Sequence, residues 1–241
     1  MQILMVSDYA AMSRTAADAV GEMLKLKPEA VLGLPTGRTP VGLYRCLTED
    51  QERGRIDLSR ATTFNLDEYV GLGPDHPCSY RRFMQTHLFS RLPAGPGRHF
   101  IPDGLAADLD RECISYDRRL DAAGGLDLLI LGLGTNGHIG FNEPAEALVM
   151  KTHRARLSAG TRQANSFCFS SLEAVPRESI TLGLGAIMGA RRILLLVSGA
   201  SKRDILRQAL SGTVTTQLPA SLLQLHGDVR VIADAQALGR C

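Results

Sequence analysis

The sequence predicts an α/β fold: a doubly wound, mostly parallel sheet with helices on both faces. Two observations lead to this prediction. Short apolar runs rich in Val, Ile and Leu recur along the chain, as in strands buried on both faces of a parallel sheet. Segments with apolar residues at helical spacing separate these runs, and each is long enough for the crossover between parallel strands. We therefore expect the 241 residues to form one domain, 1–241, without internal repeats or linkers.

The first half of the chain is predicted to alternate between strands and helices. Residues 2–6 are expected to form a short edge strand and residues 9–26 a helix. A second strand over residues 30–34 leads to a helix with Thr39 as its N-cap and Pro40 as its first residue. Further elements follow: a strand over 60–66, a helix over 80–90 that Ser79 caps, an extended piece over 99–102 and a helix over 107–122.

The second half begins with a nearly unbroken apolar run, residues 126–133, which we interpret as a central buried strand. Residues 145–177 have weak periodicity and many polar side chains, so we expect a lid or a wrapped excursion there. The remaining predicted elements are a strand or turn over 180–185, a strand over 192–197, a helix from Lys202 to about residue 210, a short helix over 219–225 and a last strand over 229–233.

Composition and charge argue against several classes of protein. Hydrophobic residues make up 44% of the chain and charged residues 22%, as in globular proteins. The formal net charge of +2 is too small to indicate nucleic acid or a membrane surface as a partner. No run approaches the roughly 20 apolar residues of a membrane span. Because the N-terminus lacks a signal-peptide pattern and the five cysteines form no C-x-x-C, we expect a cytoplasmic protein with reduced thiols.

A cluster of polar residues follows the central strand. Asn136, His138 and Glu143 lie within eight residues of one another, in a glycine-rich segment that allows tight turns. Open α/β sheets bind ligands at the carboxyl ends of their strands, so the cluster predicts a functional site. The alternative is a glycine-rich turn with a surface histidine and glutamate. The G-x-G-x-x-G pattern that begins at Gly132 is interpreted as accidental, because no apolar helix follows it.

Two adjacent acids follow the predicted strand over residues 60–66. Acids in this position often cap a helix, and that alternative stays open for Glu68. Asp67 is the stronger catalytic candidate because it is the first residue after the strand. With His138 and Glu143 it forms a set suited to proton transfer.

A second group of residues indicates an anion site. The small-residue loop that contains Thr36, Gly37, Arg38 and Thr39 leads into a helix N-terminus, where free N–H groups and the helix dipole favour anions. Arg162 and Lys202 add positive charge, and together these groups predict a phosphate pocket. A phosphorylated small molecule that undergoes acid–base chemistry is the simplest ligand that uses both groups of residues. No metal or other cofactor is expected, since no second His or Cys stands at ligand spacing from His138.

Four segments resemble the glucosamine-6-phosphate deaminase family. They are residues 34–40 (L-P-T-G-R-T-P), 64–72 (F-N-L-D-E-Y-V-G-L), 134–144 (G-T-N-G-H-I-G-F-N-E-P) and 161–166 (T-R-Q-A-N-S). The resemblance covers nearly the whole chain. The related 6-phosphogluconolactonases share the sugar-phosphate fold, but their Gly-His turn is not followed by F-N-E-P.

The resemblance implies the conversion of glucosamine 6-phosphate and water into fructose 6-phosphate and ammonia. It implies that His138 assists opening of the pyranose ring, and that Asn136 and Glu143 orient its imidazole. It also implies that Asp67 moves a proton from C2 to C1 of the open sugar. The implied phosphate ligands are Arg162, Lys202 and the loop from Thr36 to Thr39.

The sequence departs from the family pattern at several positions. Asn136 stands where many members have Asp, which implies a less basic His138. Arg38 stands where Gly or Ser is expected, and it could contact phosphate or face solvent. The regulated hexameric members carry Ser, Arg and Lys where this chain has Glu146, His153 and Ala155. The resemblance therefore implies an unregulated enzyme, monomeric rather than hexameric.

Two alternative functions stay open at this point. The first is a related enzyme that acts on galactosamine 6-phosphate or on a sugar lactone. The second is a non-catalytic regulator that binds a sugar phosphate on the same fold. Asp67, His138 and Glu143 argue against the regulator, because simple binding needs the cations but no proton-transfer set.

Overall fold

Ten strands and seven α-helices make up the computed structural model, which describes residues 1–92 and 96–240. The strands are β1 (Gln2–Val6), β2 (Val31–Leu34), β3 (Thr62–Asn65), β4 (Asp67–Tyr69), β5 (Arg98–Phe100), β6 (Leu128–Gly132), β7 (His153–Arg156), β8 (Glu178–Thr181), β9 (Ile193–Val197) and β10 (Val229–Asp234). The α-helices are α1 (Tyr9–Leu26), α2 (Val41–Glu52), α3 (Tyr80–His87), α4 (Leu109–Ala122), α5 (Ala159–Ala164), α6 (Leu184–Met188) and α7 (Arg203–Ala209). Four short 3-10 helices accompany them: Phe89–Arg91, Ser166–Cys168, Ala200–Lys202 and Pro219–Leu225.

Seven of the strands form one parallel sheet, in the order β1-β10-β9-β6-β2-β3-β5. Strand β1 lies at one edge and pairs with β10, as predicted for residues 2–6. From β2 the chain continues outward to β3 and β5, whereas from β6 it continues to β9 and β10 on the other side. The direction of winding therefore reverses between β2 and β6, which is where such sheets open a ligand crevice.

Both faces of the parallel sheet are buried under helices. Along β9, Leu194 and Leu196 belong to the apolar cluster that contains residues of α1 and α2. Ile193 and Leu195 belong to the opposite cluster, which contains residues of α4, α6 and α7. Neighbouring residues of the strand thus face different helical layers, and this accounts for the unbroken apolar runs in the sequence. The predicted doubly wound α/β architecture is confirmed.

A second, three-stranded sheet was not predicted. It has the order β4-β8-β7 with antiparallel pairing. Only Leu66 separates β3 from β4, so the predicted strand over residues 60–66 ends at this boundary and Asp67 begins the next strand. The predicted excursion over 145–177 contains β7, α5 and a 3-10 helix, and β7 returns to pair with β8.

The N-terminus of α2 differs from the prediction that Thr39 caps the helix. Pro40 occupies the N-cap position, and its side chain makes no capping hydrogen bond. The hydroxyl of Tyr9 instead accepts a hydrogen bond of 2.8 Å from the backbone N–H of Gly42. A side chain from α1 therefore satisfies a free donor of the first turn of α2, which no local pattern in the sequence could indicate. The predicted cap of α3 is confirmed, since Ser79 accepts from the N–H of Arg82.

Within residues 1–92 and 96–240, none of the helices has the length and apolar character needed to cross a membrane.

Gly33 tests how tightly the central strands pack. A Cβ atom on Gly33 would lie 2.5 Å from the Cδ1 atom of Leu129 and 3.1 Å from the Cδ1 atom of Leu126. Gly33→Ala is therefore expected to lower the free energy of unfolding by roughly 1–3 kcal/mol, the usual cost of overpacking. Urea unfolding followed by circular dichroism would measure this change. Gly227→Ala is the matched control, because nothing lies within 4 Å of the added atom; equal stability of both variants would contradict the packing.

Candidate active site

A cavity of about 460 Å³ lies at the carboxyl ends of the parallel strands, at the switch between β2 and β6. Four strand ends contribute to it: the loop after β2, Leu66 and Asp67 after β3, the glycine-rich turn after β6, and the loop after β9. The excursion between β6 and β8 supplies a further wall. Predicted site residues that line this cavity are Thr36, Gly37, Arg38, Thr39, Asp67, His138 and Lys202.

Asp67 is a buried carboxylate on the wall of this cavity. Asp67 is only 5% exposed, and its backbone pairs with that of Thr181 in the antiparallel sheet. Burial, together with the negative charge of Glu68, raises the pKa of Asp67 to about 8. The turn that carries His138 comes close to this carboxylate, because a Cβ atom on Gly140 would lie 3.8 Å from the Asp67 Oδ2 atom. The geometry thus places a strong potential base beside the histidine turn.

Glu68 has a structural role, in agreement with the alternative that this residue caps a helix. Its carboxylate accepts hydrogen bonds of 2.9 Å from the backbone N–H groups of Tyr80 and Arg81, in the first turn of α3. It also accepts from the N–H of Tyr69 at 2.8 Å. Burial raises the pKa of Glu68, and these backbone hydrogen bonds oppose that rise. Glu68 therefore caps α3 and fixes the orientation of β4, while Asp67 alone faces the cavity.

His138 is held by a chain of hydrogen bonds that fixes its tautomer. The Asn136 side-chain amide donates from Nδ2 to the Glu143 carboxylate at 2.6 Å, so its oxygen faces the histidine. This Oδ1 atom lies 2.7 Å from the Nδ1 atom of His138 and also accepts from the His138 backbone N–H at 3.2 Å. Since the amide oxygen can only accept, the hydrogen of a neutral imidazole is on Nδ1 and the lone pair is on Nε2.

The environment of His138 favours the neutral ring. Burial is the main cause that lowers the pKa of His138 to about 4, and the charge of Lys202 acts in the same direction. The negative charge of Glu143 opposes both effects. Glycine is required at Gly134, because a Cβ atom there would collide with the imidazole ring. The turn thus holds a neutral, oriented imidazole that can accept a proton at Nε2.

One end of the cavity, formed by the loops after β2 and β9, is positively charged. Lys202 donates from Nζ to the carbonyl oxygen of Leu133 at 2.6 Å. Burial and the charge of Arg38 lower the pKa of Lys202. The loop before α2 turns at Gly37, whose φ of 89° is readily available only to glycine. Backbone N–H groups at the start of α2 add to the positive potential of this end.

Arg162 does not line the main cavity. Its guanidinium donates to the backbone carbonyls of Leu172, at 2.6 Å, and Val175, at 3.1–3.2 Å. It lines a neighbouring cavity of about 590 Å³ together with Asn136 and Glu143. These two residues therefore lie behind the imidazole of His138 rather than on the wall of the main cavity.

Several cavity residues were missed from the sequence. Tyr9 lies at the start of α1, and its hydroxyl contacts the carbonyl oxygens of Arg38 and Thr39 at 3.2 and 3.1 Å. Ser198 and Ser201 lie in the glycine loop after β9, where the small residues were a usable signal. The further lining residues that were missed are Tyr80, Thr135, Phe141, Ala164, Asn165 and Phe167. Thr135, Phe141, Ala164 and Asn165 lie in the segments 134–144 and 161–166, whose motifs were a usable signal. Tyr80 and Phe167 lie outside those segments, and only the tertiary structure identifies them.

The fold and the cavity define a class of protein: an α/β enzyme with an oriented neutral histidine, a buried carboxylate and a cationic end for a small anionic substrate. Residues 7–232 match the family of glucosamine-6-phosphate isomerases/6-phosphogluconolactonase, and the chain belongs to this family. The resemblance found in the sequence is thereby confirmed.

Relatives of the chain agree with this assignment. The glucosamine-6-phosphate deaminase of Clostridium perfringens strain 13 is 47% identical over 237 residues, covering 98% of each chain. That of Thermoanaerobacter sp. strain X514 is 48% identical and covers 98% of this chain and 94% of its own. A solved structure of a monomeric glucosamine-6-phosphate deaminase has 43% identity and a TM-score of 0.96, with 99% of both chains covered. The 6-phosphogluconolactonase of Thermotoga maritima, at 23% identity and a TM-score of 0.74, shares the fold.

The neutral amide of Asn136 leads to a prediction about His138. Asn136→Asp replaces the amide with a carboxylate in contact with Nδ1 and is expected to raise the pKa of His138 well above about 4. The NMR chemical shift of the His138 ring carbon, followed through a pH titration, would measure the change. An unchanged titration of His138 in the variant would show that Asn136 does not control its basicity.

Burial of Asp67 leads to a prediction about stability. Its pKa is about 8 in the folded protein and near 3.8 when exposed, so its contribution to stability is lost as the pH rises through about 8. Asp67→Asn removes this loss and is expected to raise the melting temperature relative to the natural protein at pH 9. The difference should become small at pH 4, where Asp67 is protonated when folded. Thermal unfolding at both pH values tests this, and a variant less stable at pH 9 would contradict it.

Proposed function

We propose that this protein converts glucosamine 6-phosphate and water into fructose 6-phosphate and ammonia. The observation that carries the proposal is that Asp67, His138 and Lys202 line the same cavity. The predicted phosphate-binding loop, Thr36 to Thr39, lines this cavity as well. The names of the relatives with 47–48% identity support the same reaction. A buried base, a neutral proton acceptor and a cationic end match the three tasks of this reaction: proton transfer at carbon, ring opening and phosphate binding.

Ring opening is assigned to His138. The imidazole takes the proton of the anomeric hydroxyl at Nε2 and passes a proton to the ring oxygen, which breaks the C1–O5 bond and gives an aldehyde at C1. A neutral ring is required at the start of this step, in agreement with its low pKa of about 4. The Glu143–Asn136 pair keeps Nδ1 occupied throughout, so Nε2 is the nitrogen that faces the substrate.

The carbon proton transfer is assigned to Asp67. Once C1 is an aldehyde, the ionised carboxylate removes the C2 proton, and protonation of the carbonyl oxygen gives an enolamine. Asp67 then returns the proton at C1, which leaves an imine at C2. Water adds to C2 and ammonia leaves, so the ketone of fructose 6-phosphate remains. Burial makes this carboxylate more basic than usual, which favours abstraction of a weakly acidic carbon proton.

The substrate phosphate is assigned to the cationic end. This end is lined by the loop after β2, which comprises Thr36 to Thr39 and includes Arg38, and by Lys202 in the loop after β9. Arg162 was also predicted as a phosphate ligand, but its guanidinium is occupied by two backbone carbonyls outside the main cavity. We therefore assign Arg162 to the internal support of the excursion and the phosphate to the other groups.

The proposal extends to assembly and cellular context. A monomeric enzyme is supported by the monomeric deaminase that shares 43% identity over nearly the whole chain. Glu146, His153 and Ala155 stand where regulated hexameric members carry Ser, Arg and Lys, which favours an unregulated protein. We further propose a cytoplasmic role in amino-sugar catabolism, as a single domain over residues 1–241.

Asp67→Asn tests the assignment of the base. The variant keeps the size of the side chain but cannot accept the C2 proton, so turnover is expected to fall by about 10²-fold or more. A coupled assay of ammonia and fructose 6-phosphate release would measure the activity, and calorimetric titration with inorganic phosphate would show that the site is intact. Near-normal turnover in this variant would exclude Asp67 as the base. Release of ammonia from galactosamine 6-phosphate alone would instead correct the substrate.

A further inference from the structure

Phe167 and Arg38 form a wall between two cavities. The Cζ atom of Arg38 lies 5.0 Å from the centroid of the Phe167 ring, within the range of a cation–π interaction. Both residues line the main cavity, and both also line a smaller cavity of about 250 Å³ beside α3. The Phe167 residue is 57% exposed, so its ring contributes little to the apolar core. A large apolar side chain at the mouth of a site, packed on a cation, therefore needs a different explanation.

The backbone that follows Phe167 is held by contacts that do not involve Arg38. The carbonyl oxygen of Cys168 accepts a hydrogen bond from the Cys78 Sγ atom at 2.5 Å. The ring of Phe169 packs edge-on against Tyr69, with 5.7 Å between the centroids. The 3-10 helix Ser166–Cys168 is thus attached to the loop before α3 and to β4. These contacts hold the backbone that places the Phe167 ring on the cavity wall.

The backbone of Arg38 is also anchored, while its charge is available. Its carbonyl oxygen accepts a hydrogen bond from the Tyr9 hydroxyl at 3.2 Å. Among residues 1–92 and 96–240, neither Arg38 nor Lys202 forms an ion pair with a carboxylate. The charge of Arg38 nevertheless acts on Lys202. Two cations close enough to influence each other, and without an acid between them, are suited to a dianion.

We propose that Phe167 is a positioning residue, whose ring holds the Arg38 guanidinium at the end of the cavity that binds the phosphate group. A guanidinium that packs with its face on a ring keeps the N–H groups at its edge free to donate to phosphate oxygens. Phe167 itself donates no hydrogen bond; it acts by reducing the conformational freedom that Arg38 would lose on binding. The inference rests on the proposed function only in taking the anion to be a sugar phosphate.

Calorimetric titration with inorganic phosphate tests the proposal without any turnover. Arg38→Gln is expected to weaken phosphate binding about 10-fold or more, because a charge-assisted hydrogen bond is lost. Phe167→Leu keeps an apolar side chain but removes the ring, and is expected to weaken binding about 2- to 5-fold. Phe167→Tyr keeps the ring and should restore binding to within about 2-fold of the natural protein.

The double variant distinguishes positioning from a general structural effect. If Phe167 acts through Arg38, Phe167→Leu causes no further loss of phosphate binding in the Arg38→Gln background. An equal loss in both backgrounds, or no loss in either, would overturn the proposal. Leu26→Ala is the control, since Leu26 is 83% exposed at the far end of α1. Melting temperatures of all variants would verify that they are folded.

Kinetics separate this inference from the proposed function. With glucosamine 6-phosphate, Phe167→Leu is expected to raise KM about 2- to 5-fold and to leave kcat within about 2-fold, because a ground-state contact to phosphate is weakened. If no ammonia is released by any protein but phosphate binding follows the expected pattern, the proposed function fails and the positioning role stands. If ammonia is released and Phe167→Leu binds phosphate normally, the positioning role fails alone.

Discussion

The reversal of winding between β2 and β6 is the constraint on which the site depends. Because all seven strands of the main sheet are parallel, their carboxyl ends meet at one edge, and the reversal leaves a crevice there. Asp67, the His138 turn and Lys202 come from different strand ends and are far apart in sequence. The short β4 strand adds a second constraint, because it turns Asp67 back toward the crevice immediately after β3.

The two proton-transfer groups differ in how the fold treats their charge. Burial raises the pKa of Asp67 and lowers that of His138, so in both cases the uncharged form is favoured. The neutral amide of Asn136 makes the hydrogen bond to the imidazole, and it also binds Glu143, whose Oε2 atom lies 4.0 Å from the Nδ1 atom of His138. The charged forms of Asp67 and His138 are therefore expected mainly during the reaction with substrate. Because both groups are buried, water screens these charges poorly.

Sequence reasoning was most successful where function and local pattern coincide. The His138 turn lies in one continuous segment that follows an apolar strand, so its residues and their partners could be predicted together. The three residues of β4 are too few to show a periodicity, and the antiparallel sheet was missed for that reason. Tyr9 and Phe167 reach the cavity only through tertiary packing. Arg162 has the right charge for a phosphate ligand, but charge alone does not indicate that backbone carbonyls occupy its guanidinium.

Asp234 connects the rim of the cavity to the outermost part of the sheet. Its carboxylate accepts from the backbone N–H of Gly199 and from the hydroxyl of Ser198, and it stands at the end of β10 opposite Val6. On its outer side in the sheet, strand β10 pairs with β1. A change in β1 would therefore act on the loop after β9, which leads to Lys202, through the backbone pairing of Val6 with Asp234 and the carboxylate of Asp234. The edge of the sheet, although remote from the substrate, is therefore part of what holds this loop in place.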